Sequence, residues 1–399
     1  MLILKFIVTR DYYLISFLLL FLCGSNKASA QSNPNSISLT PLAGLSIFAP
    51  DGNLQGSFYG GEAAYQLNMA DNNVEWIRLL HVQDISFTAA WLNLQGIYNG
   101  GTAASRGMPG NTYAALTIVD MSFLHAGSTR FFFSPGIGLA YATQTYYINN
   151  YNPHVGSHIN LAVQAGVKLE TPVFPSTRLT LGVDFFHYSN SAFKLPNDGI
   201  NNINTTIGLV RDLKLTGPDR EKATFAIDDK QSLEIGIGFG RRGFIQAGAY
   251  INPKTGKPVP LPDSAAQKSA TSNLYMSGMY IGYAYRLNSL LSLKLGSDMV
   301  YYFRPFSWDD FYRTFQESGT SYDHLAVGVS AGLDLWLGRM AFMANYGYYL
   351  HYNSIYPTHF YRTIGGKYYL NSWLALNIKM YIHGFEAQYA NFGVVFNVR

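Results

Sequence analysis

The chain has 399 residues, of which 13% are charged, 48% hydrophobic and 15% aromatic, with 30 Tyr, 38 Gly and a single Cys. Soluble domains average about 25% charged residues, so the composition argues against a well-solvated cytoplasmic surface. It also excludes disorder, which needs a charge-rich, aromatic-poor chain, and an internal disulfide scaffold, which one cysteine cannot build. The formal net charge of +4 is too small to point to nucleic acid or to a polybasic membrane patch.

In chain order, the first element is a secretory signal peptide expected over residues 1–30. Lys5 and Arg10 precede an apolar stretch from Leu14 to Leu22, and Ala28, Ser29 and Ala30 offer small residues to a peptidase, with cleavage before Gln31. Removing Lys5, Arg10, Lys27 and Asp11 with it lowers the formal charge from +4 to +2, and Cys23 leaves at the same time. Beyond this point the chain has no apolar run of the roughly 18 residues that a spanning helix needs.

From Ile37 onward the sequence reads as strands. Segments of roughly ten to fourteen residues alternate in polarity between clusters of Gly, Asn, Pro and Ser. They fall near 57–69, 83–98, 113–125, 129–146, 158–171, 178–189, 202–214, 231–250, 273–286, 290–304, 322–337, 339–352, 361–370, 374–383 and 388–398. Leu374, Leu376, Ile378, Met380 and Ile382 share one face of their segment, while Ala375, Asn377, Lys379, Tyr381 and His383 share the other. A period of two with lysine inside the run means one apolar surrounding and one polar interior. Together with a mean hydropathy near zero, this is the signature of an all-β, transmembrane antiparallel β-barrel.

Connections alternate between short ones, such as 126–128, 288–289 and 371–372, and long ones, such as 99–112, 147–157, 190–201, 252–272 and 305–321. Bacterial barrels have short periplasmic turns and longer outer loops. The count is about 16 strands, within a range of 12–16, an even number that puts both ends of the chain in the periplasm. Residues 70–82 and 215–230 interrupt the pattern, and the second stretch carries Asp219, Arg220, Glu221 and Lys222. It allows an alternative arrangement of two tandem eight-stranded barrels, each closed, because open sheet edges do not survive in lipid.

One segment carries a chemical constellation. Between Arg178 and Ser189 the odd positions Leu179, Leu181, Val183 and Phe185 are apolar and must face lipid, which puts His187 and Ser189 on the same outward face. Ile203, Ile207 and Leu209 repeat the odd parity on the next segment and place Asn201 outward too. A hairpin register of even sum brings Asn201 beside the His–Ser pair. A serine hydroxyl becomes a nucleophile when a base takes its proton, and that base needs an orienting partner. The competing reading assigns His187 and Tyr188 to the interfacial aromatic belt and leaves Ser189 and Asn190 as the opening of a turn. The nine histidines show no paired ligand spacing, so neither a metal nor another cofactor is expected.

The run from His187 through Tyr188, Ser189, Asn190, Ser191, Ala192, Phe193, Lys194, Leu195, Pro196, Asn197, Asp198 and Gly199 to Ile200 resembles the signature of the outer-membrane lipid A 3-O-deacylases of the PagL type. It also resembles their acyloxyacyl-hydrolase relatives in Bacteroidetes. Residues 156–160 are loosely similar to that family as well, and residues 364–370 to the longer relatives. The resemblance implies a barrel whose outward-facing site hydrolyses an ester-linked acyl chain of lipid A, or a related lipid, at the outer leaflet of a Gram-negative outer membrane. It divides the chain into a deacylase-like portion, 31–215, that carries the site and an additional set of barrel strands, 216–399. By position it makes His187 the general base, Ser189 the nucleophile and Asn201 the orienting residue, where the family has glutamate. It puts the oxyanion hole at Asn197 and Ala192, the latter a position where glycine is usual, and substrate contacts at Asn190 and Lys194. Lipopolysaccharide is then the partner, with the barrel-assembly machinery needed for insertion. A catalytically inactive barrel and a porin-like channel are the alternatives from other functional classes.

Overall fold

The computed structural model describes residues 34–47, 54–100, 105–149, 151–152, 154–213, 230–243, 249–251, 258–260, 273–307, 320–354, 358–384 and 386–398. The signal peptide expected at 1–30, the charged stretch 219–222 and most of 252–272 and 305–321 lie outside the described residues.

Sixteen strands form two closed antiparallel barrels of eight. The first comprises β1 (Ser36–Ser46), β2 (Ser57–Asn68), β3 (Val82–Asn93), β4 (Asn111–Ala126), β5 (Thr129–Ala142), β6 (Ile159–Phe174), β7 (Thr177–Ser189) and β8 (Ile200–Asp212). It closes where β1 pairs with both neighbours, Ile37 lying opposite Tyr65 of β2 and Arg211 of β8. The second comprises β9 (Gln231–Gly243), β10 (Asn273–Arg286), β11 (Leu291–Tyr302), β12 (Leu325–Leu337), β13 (Met340–His351), β14 (Phe360–Tyr369), β15 (Leu374–His383) and β16 (Glu386–Val398). It closes through β9, where Gly236 faces Tyr280 of β10 and Val395 of β16.

The strand count therefore matches the sequence, and the sheet closes in the second of the two arrangements left open. An eight-stranded barrel has an interior just wide enough for side chains to fill. In the second barrel Lys367, fully buried, sits between Glu234 at 2.6 Å and Asp334 at 2.5 Å. Lys294 reaches Glu234 at 2.6 Å, Lys379 pairs with Asp298, and Tyr361 donates to Asp298 at 2.8 Å. In the first barrel Lys168 holds Asp120 at 2.8 Å, and Glu170 receives Arg130 at 2.6 Å and Arg178 at 2.8 Å. Buried charge is tolerated only when it is paired, and these pairs occupy both lumens. The porin-like reading starts from about sixteen strands and a polar inner face; here those strands enclose two narrow lumens crossed by paired side chains.

The outer faces are mainly apolar: Leu181, Val183 and Phe185 on β7 and Leu293 and Leu295 on β11 are exposed, as lipid contact demands. Tight turns at 127–128, 175–176 and 338–339 occupy one end, and the connection 190–199 and the described parts of the connections 94–110 and 143–158 occupy the other. The break at 70–82 holds a short helix, α1 (Glu75–Leu79), whose Ile77 packs with Met69 and Val82. The barrels touch at both ends. At the turn end α1 lies against β12, and a Cβ on Gly338 would stand 3.4 Å from the Trp76 indole nitrogen. At the long-loop end the Gly243 N–H of β9 donates to the Ala192 carbonyl at 2.9 Å.

Candidate active site

Alternation along β7 sends Thr180, Asp184, Phe186 and Tyr188 into the lumen and leaves the odd positions outside. Tyr188 is fully buried, and its hydroxyl accepts from Thr112 at 2.9 Å. That anchor fixes the register of the strand end and turns its neighbours His187 and Ser189 onto the outer face, half-buried. The β7–β8 hairpin pairs Ile200 with Tyr188 and Asn201 with His187, which is the even-sum register. On the other side β6 sets Val163 opposite His187 and Leu161 opposite Ser189, so an apolar strip runs beside the polar pair.

The three side chains form a chain of contacts. His187 Nδ1 lies 2.7 Å from Asn201 Oδ1, and His187 Nε2 lies 3.0 Å from Ser189 Oγ. The amide oxygen can only accept, so it requires the proton on Nδ1 and leaves the Nε2 lone pair facing the serine hydroxyl. Both distances are within hydrogen-bond reach for a nucleophile and its base.

The connection from Asn190 to Gly199 wraps over this chain and is held mainly by its own polar groups. Asn190 is buried. Its backbone N–H donates to Asn197 Oδ1 at 2.6 Å, its Nδ2 donates to Ser157 Oγ and to the Lys194 carbonyl at 2.8 Å each, and its Oδ1 accepts from the Lys194 N–H at 3.2 Å. Asn190, expected at a substrate contact, thus has its side chain engaged inside the loop. Asn197 Nδ2, by contrast, makes no hydrogen bond among the described residues. Ser191 and Ala192 have φ of 54° and 62°, the left-handed region that costs a non-glycine residue and that explains why glycine suits position 192. The Ala192 N–H also donates to no described residue, whereas its carbonyl is taken by Gly243. The Tyr147 hydroxyl donates to the Leu195 carbonyl at 2.7 Å. Burial, with Tyr146 nearby, pushes it up to about 12, so it remains a donor at neutral pH.

Three contributors escaped the sequence reading. Gly199 has φ of 75°, and a Cβ there would stand 2.6 Å from His187 Cε1 and 3.1 Å from Ser189 Cβ. Its N–H donates at 3.0 Å to the carbonyl of His154, itself buried with its ring 3.4 Å from Asp198 Oδ2. Gly199 lies within the motif, and its φ and close approach were the signal to look for. The third is the end of β9, brought in from the second barrel, for which no local pattern exists. Two further histidines, His158 and His383, lie in different surroundings. His158 stacks on exposed Tyr141 with centroids 5.2 Å apart, whereas His383 is buried against Tyr349 and Tyr352 inside the second barrel. No group of three or more His, Cys, Asp or Glu residues among those described could hold a metal ion.

Because the Gly199 Cα sits against the imidazole, Gly199→Ala is expected to displace it. A misplacement of about 1 Å can lower a rate about 10²-fold. The expected outcome is a fall of that order in the rate at which Ser189 is labelled by a serine-directed fluorophosphonate probe, with normal membrane insertion of the variant.

Comparisons with known proteins give two family matches, one falling within each barrel. Residues 59–210 match the family described as lipid A 3-O-deacylase (PagL), and residues 243–399 match the one described as acyloxyacyl hydrolase, C-terminal domain. No curated protein matches. Among solved structures, the outer membrane enzyme PagL is 17% identical, covering 43% of this chain and 97% of its own, with a TM-score of 0.30. The siderophore receptor PirA from Acinetobacter baumannii is 10% identical, covering 89% of this chain and 68% of its own, at a TM-score of 0.25. The toluene transporter TodX from Pseudomonas putida is 9% identical, covering 92% and 89%, at a TM-score of 0.17.

Proposed function

For a chain that belongs to the PagL family of outer-membrane lipid A deacylases, we propose a serine esterase that removes an ester-linked acyl chain from lipid A or a related outer-leaflet lipid. The observation that carries this reading is the outward-facing contact chain Ser189–His187–Asn201 at the lipid boundary. A soluble ester would not need a nucleophile on that face, whereas a substrate embedded in the bilayer can reach no other.

The chemistry follows from the proton positions. Ser189 Oγ attacks the acyl carbonyl carbon as its proton passes to His187 Nε2. The carbonyl oxygen becomes an oxyanion, to which the Ala192 N–H and Asn197 Nδ2 can donate. The ester C–O bond then breaks, the imidazole returns the proton to the departing sugar hydroxyl, and the acyl group stays on Ser189. Water, deprotonated by His187, attacks that acyl-enzyme, and the free fatty acid leaves as Ser189 regains its proton. Asn201 holds the tautomer and aims the ring, but as an amide it adds no charge against the imidazolium. The acyl chain lies along the strip formed by Leu161, Val163 and Phe185. Lys194, at the loop surface, faces the lipid head group, while Asn190 shapes the loop from within.

Replacing Asn197 by Asp keeps the oxygen that receives the Asn190 N–H and removes the amide donor. Loss of one oxyanion donor typically lowers kcat by about 10²–10³, and Asn197→Asp is expected to fall in that range with little change in KM. Steady-state hydrolysis of micellar lipid A checks it, and an unchanged kcat removes Asn197 from the oxyanion hole. The reading as a whole is tested by fatty-acid release from lipopolysaccharide by the purified full-length chain.

A further inference from the structure

We infer that the second barrel completes the lipid-binding site, with Arg241 of β9 and Lys194 of the loop flanking a phosphate of the substrate head group. This rests on the esterase reading of the Ser189 site and extends it to the part of the lipid that does not react. The odd positions of β9 face outward, where Ile237 and Phe239 are exposed at 42% and 62%. Arg241 follows them at the long-loop end of the strand. Its guanidinium carbon sits 4.4 Å from the centroid of Phe193, two residues before the end of the Asn190–Leu195 turn. Its Nε is buried with no hydrogen-bond partner. Lys194, the next residue of the same turn, holds its Nζ 4.0 Å from the centroid of the Tyr147 ring. Among the described residues neither cation has a carboxylate partner, whereas the lumenal cations Lys168, Arg178, Lys294, Lys367 and Lys379 are each paired with one.

The join is built for close approach. Besides the 2.9 Å hydrogen bond from the Gly243 N–H to Ala192, a Cβ on Gly243 would come within 2.6 Å of Lys194 Cα. The second barrel therefore presents Arg241 to the loop that carries the oxyanion donor. An arginine stacked on an aromatic face keeps its planar fork for an anion and suits phosphate in particular. Two uncompensated cations at the outer-leaflet level, next to a site for an acylated lipid, fit a phosphorylated acyl glycolipid in preference to a neutral one.

The experiment compares the full-length chain with Arg241→Gln and Arg241→Lys, all in neutral detergent, on phosphorylated lipid A and on the same lipid A after phosphatase treatment. KM for the phosphorylated lipid is expected to rise about tenfold in Arg241→Gln, as for loss of a hydrogen bond to a charged group. The advantage of phosphorylated over dephosphorylated lipid should collapse, kcat should hold, and Arg241→Lys should recover part of it. Equal changes on both lipids, or none, would overturn the inference. Binding to Ser189→Ala protein separates it from the esterase reading: phosphorylated lipid A that binds Ser189→Ala but not Ser189→Ala/Arg241→Gln supports the phosphate site even where no variant hydrolyses lipid. Inorganic phosphate alone, binding as tightly as the lipid and lost with Arg241, would make this a free-anion site and overturn the head-group assignment.

Discussion

Ser189→Ala protein, purified in detergent beside the unaltered chain, is expected to release fatty acid from lipopolysaccharide at least about 10³-fold more slowly. Removing the nucleophile of a serine hydrolase costs up to about 10⁶ in kcat, the remainder coming from binding and the oxyanion hole. The smaller lower bound reflects a starting enzyme whose third member is an amide. The substitution deletes only Oγ: the pairing of position 189 with Leu161 is through backbone, and His187 keeps its 2.7 Å contact with Asn201. A fold defect is therefore not expected, and heat-modifiable migration of the barrel checks it. Equal release by the variant would move the nucleophile elsewhere.

The second large effect runs in the opposite direction. Asn201→Asp is expected to raise kcat by about 10²–10⁴. Asparagine and aspartate have the same reach, so a carboxylate oxygen replaces the amide oxygen at the 2.7 Å position beside His187 Nδ1. The ring keeps its tautomer and orientation. What changes is the charge facing the imidazolium that forms when Ser189 attacks, and exchanging carboxylate for amide at this role in a serine protease lowers kcat about 10⁴. Asn201→Glu, with the family's own residue, is the companion variant: its longer arm must bend to meet Nδ1 across the β7–β8 pair, so its gain is expected to be smaller. Single-turnover acylation by a chromogenic ester reports the step directly. No gain from either variant would favour the second reading, a barrel that keeps the scaffold without the reaction.

How much of this was legible beforehand depends on the range of the interaction. The strand from Leu374 to His383 was plain because alternation is a property of one segment facing two surroundings. The placement of His187, Ser189 and Asn201 on one face followed from parity and an even-sum hairpin, both short-range. Closure was less accessible. Polarity along β8 tells which face meets lipid, but not whether its free edge pairs with β1 or with β9, because both partners present the same backbone groups. Hence one sheet or two could not be separated from the pattern alone. Gly199 was within the recognised run, yet its meaning depends on a φ of 75° and on the imbedded imidazole. Arg241 and Gly243 meet the 190–199 loop only through the contact between the two barrels, about fifty residues distant in sequence and with no periodicity of its own.

The most direct measurement is mass spectrometry of lipid A extracted from Gram-negative cells carrying no copy of this chain, the unaltered chain, or Ser189→Ala. Lipid A lighter by one acyl chain only in cells with the unaltered chain is the predicted result. Indistinguishable spectra from all three, with both proteins present in the outer membrane, would contradict the assignment of this barrel as a lipid deacylase.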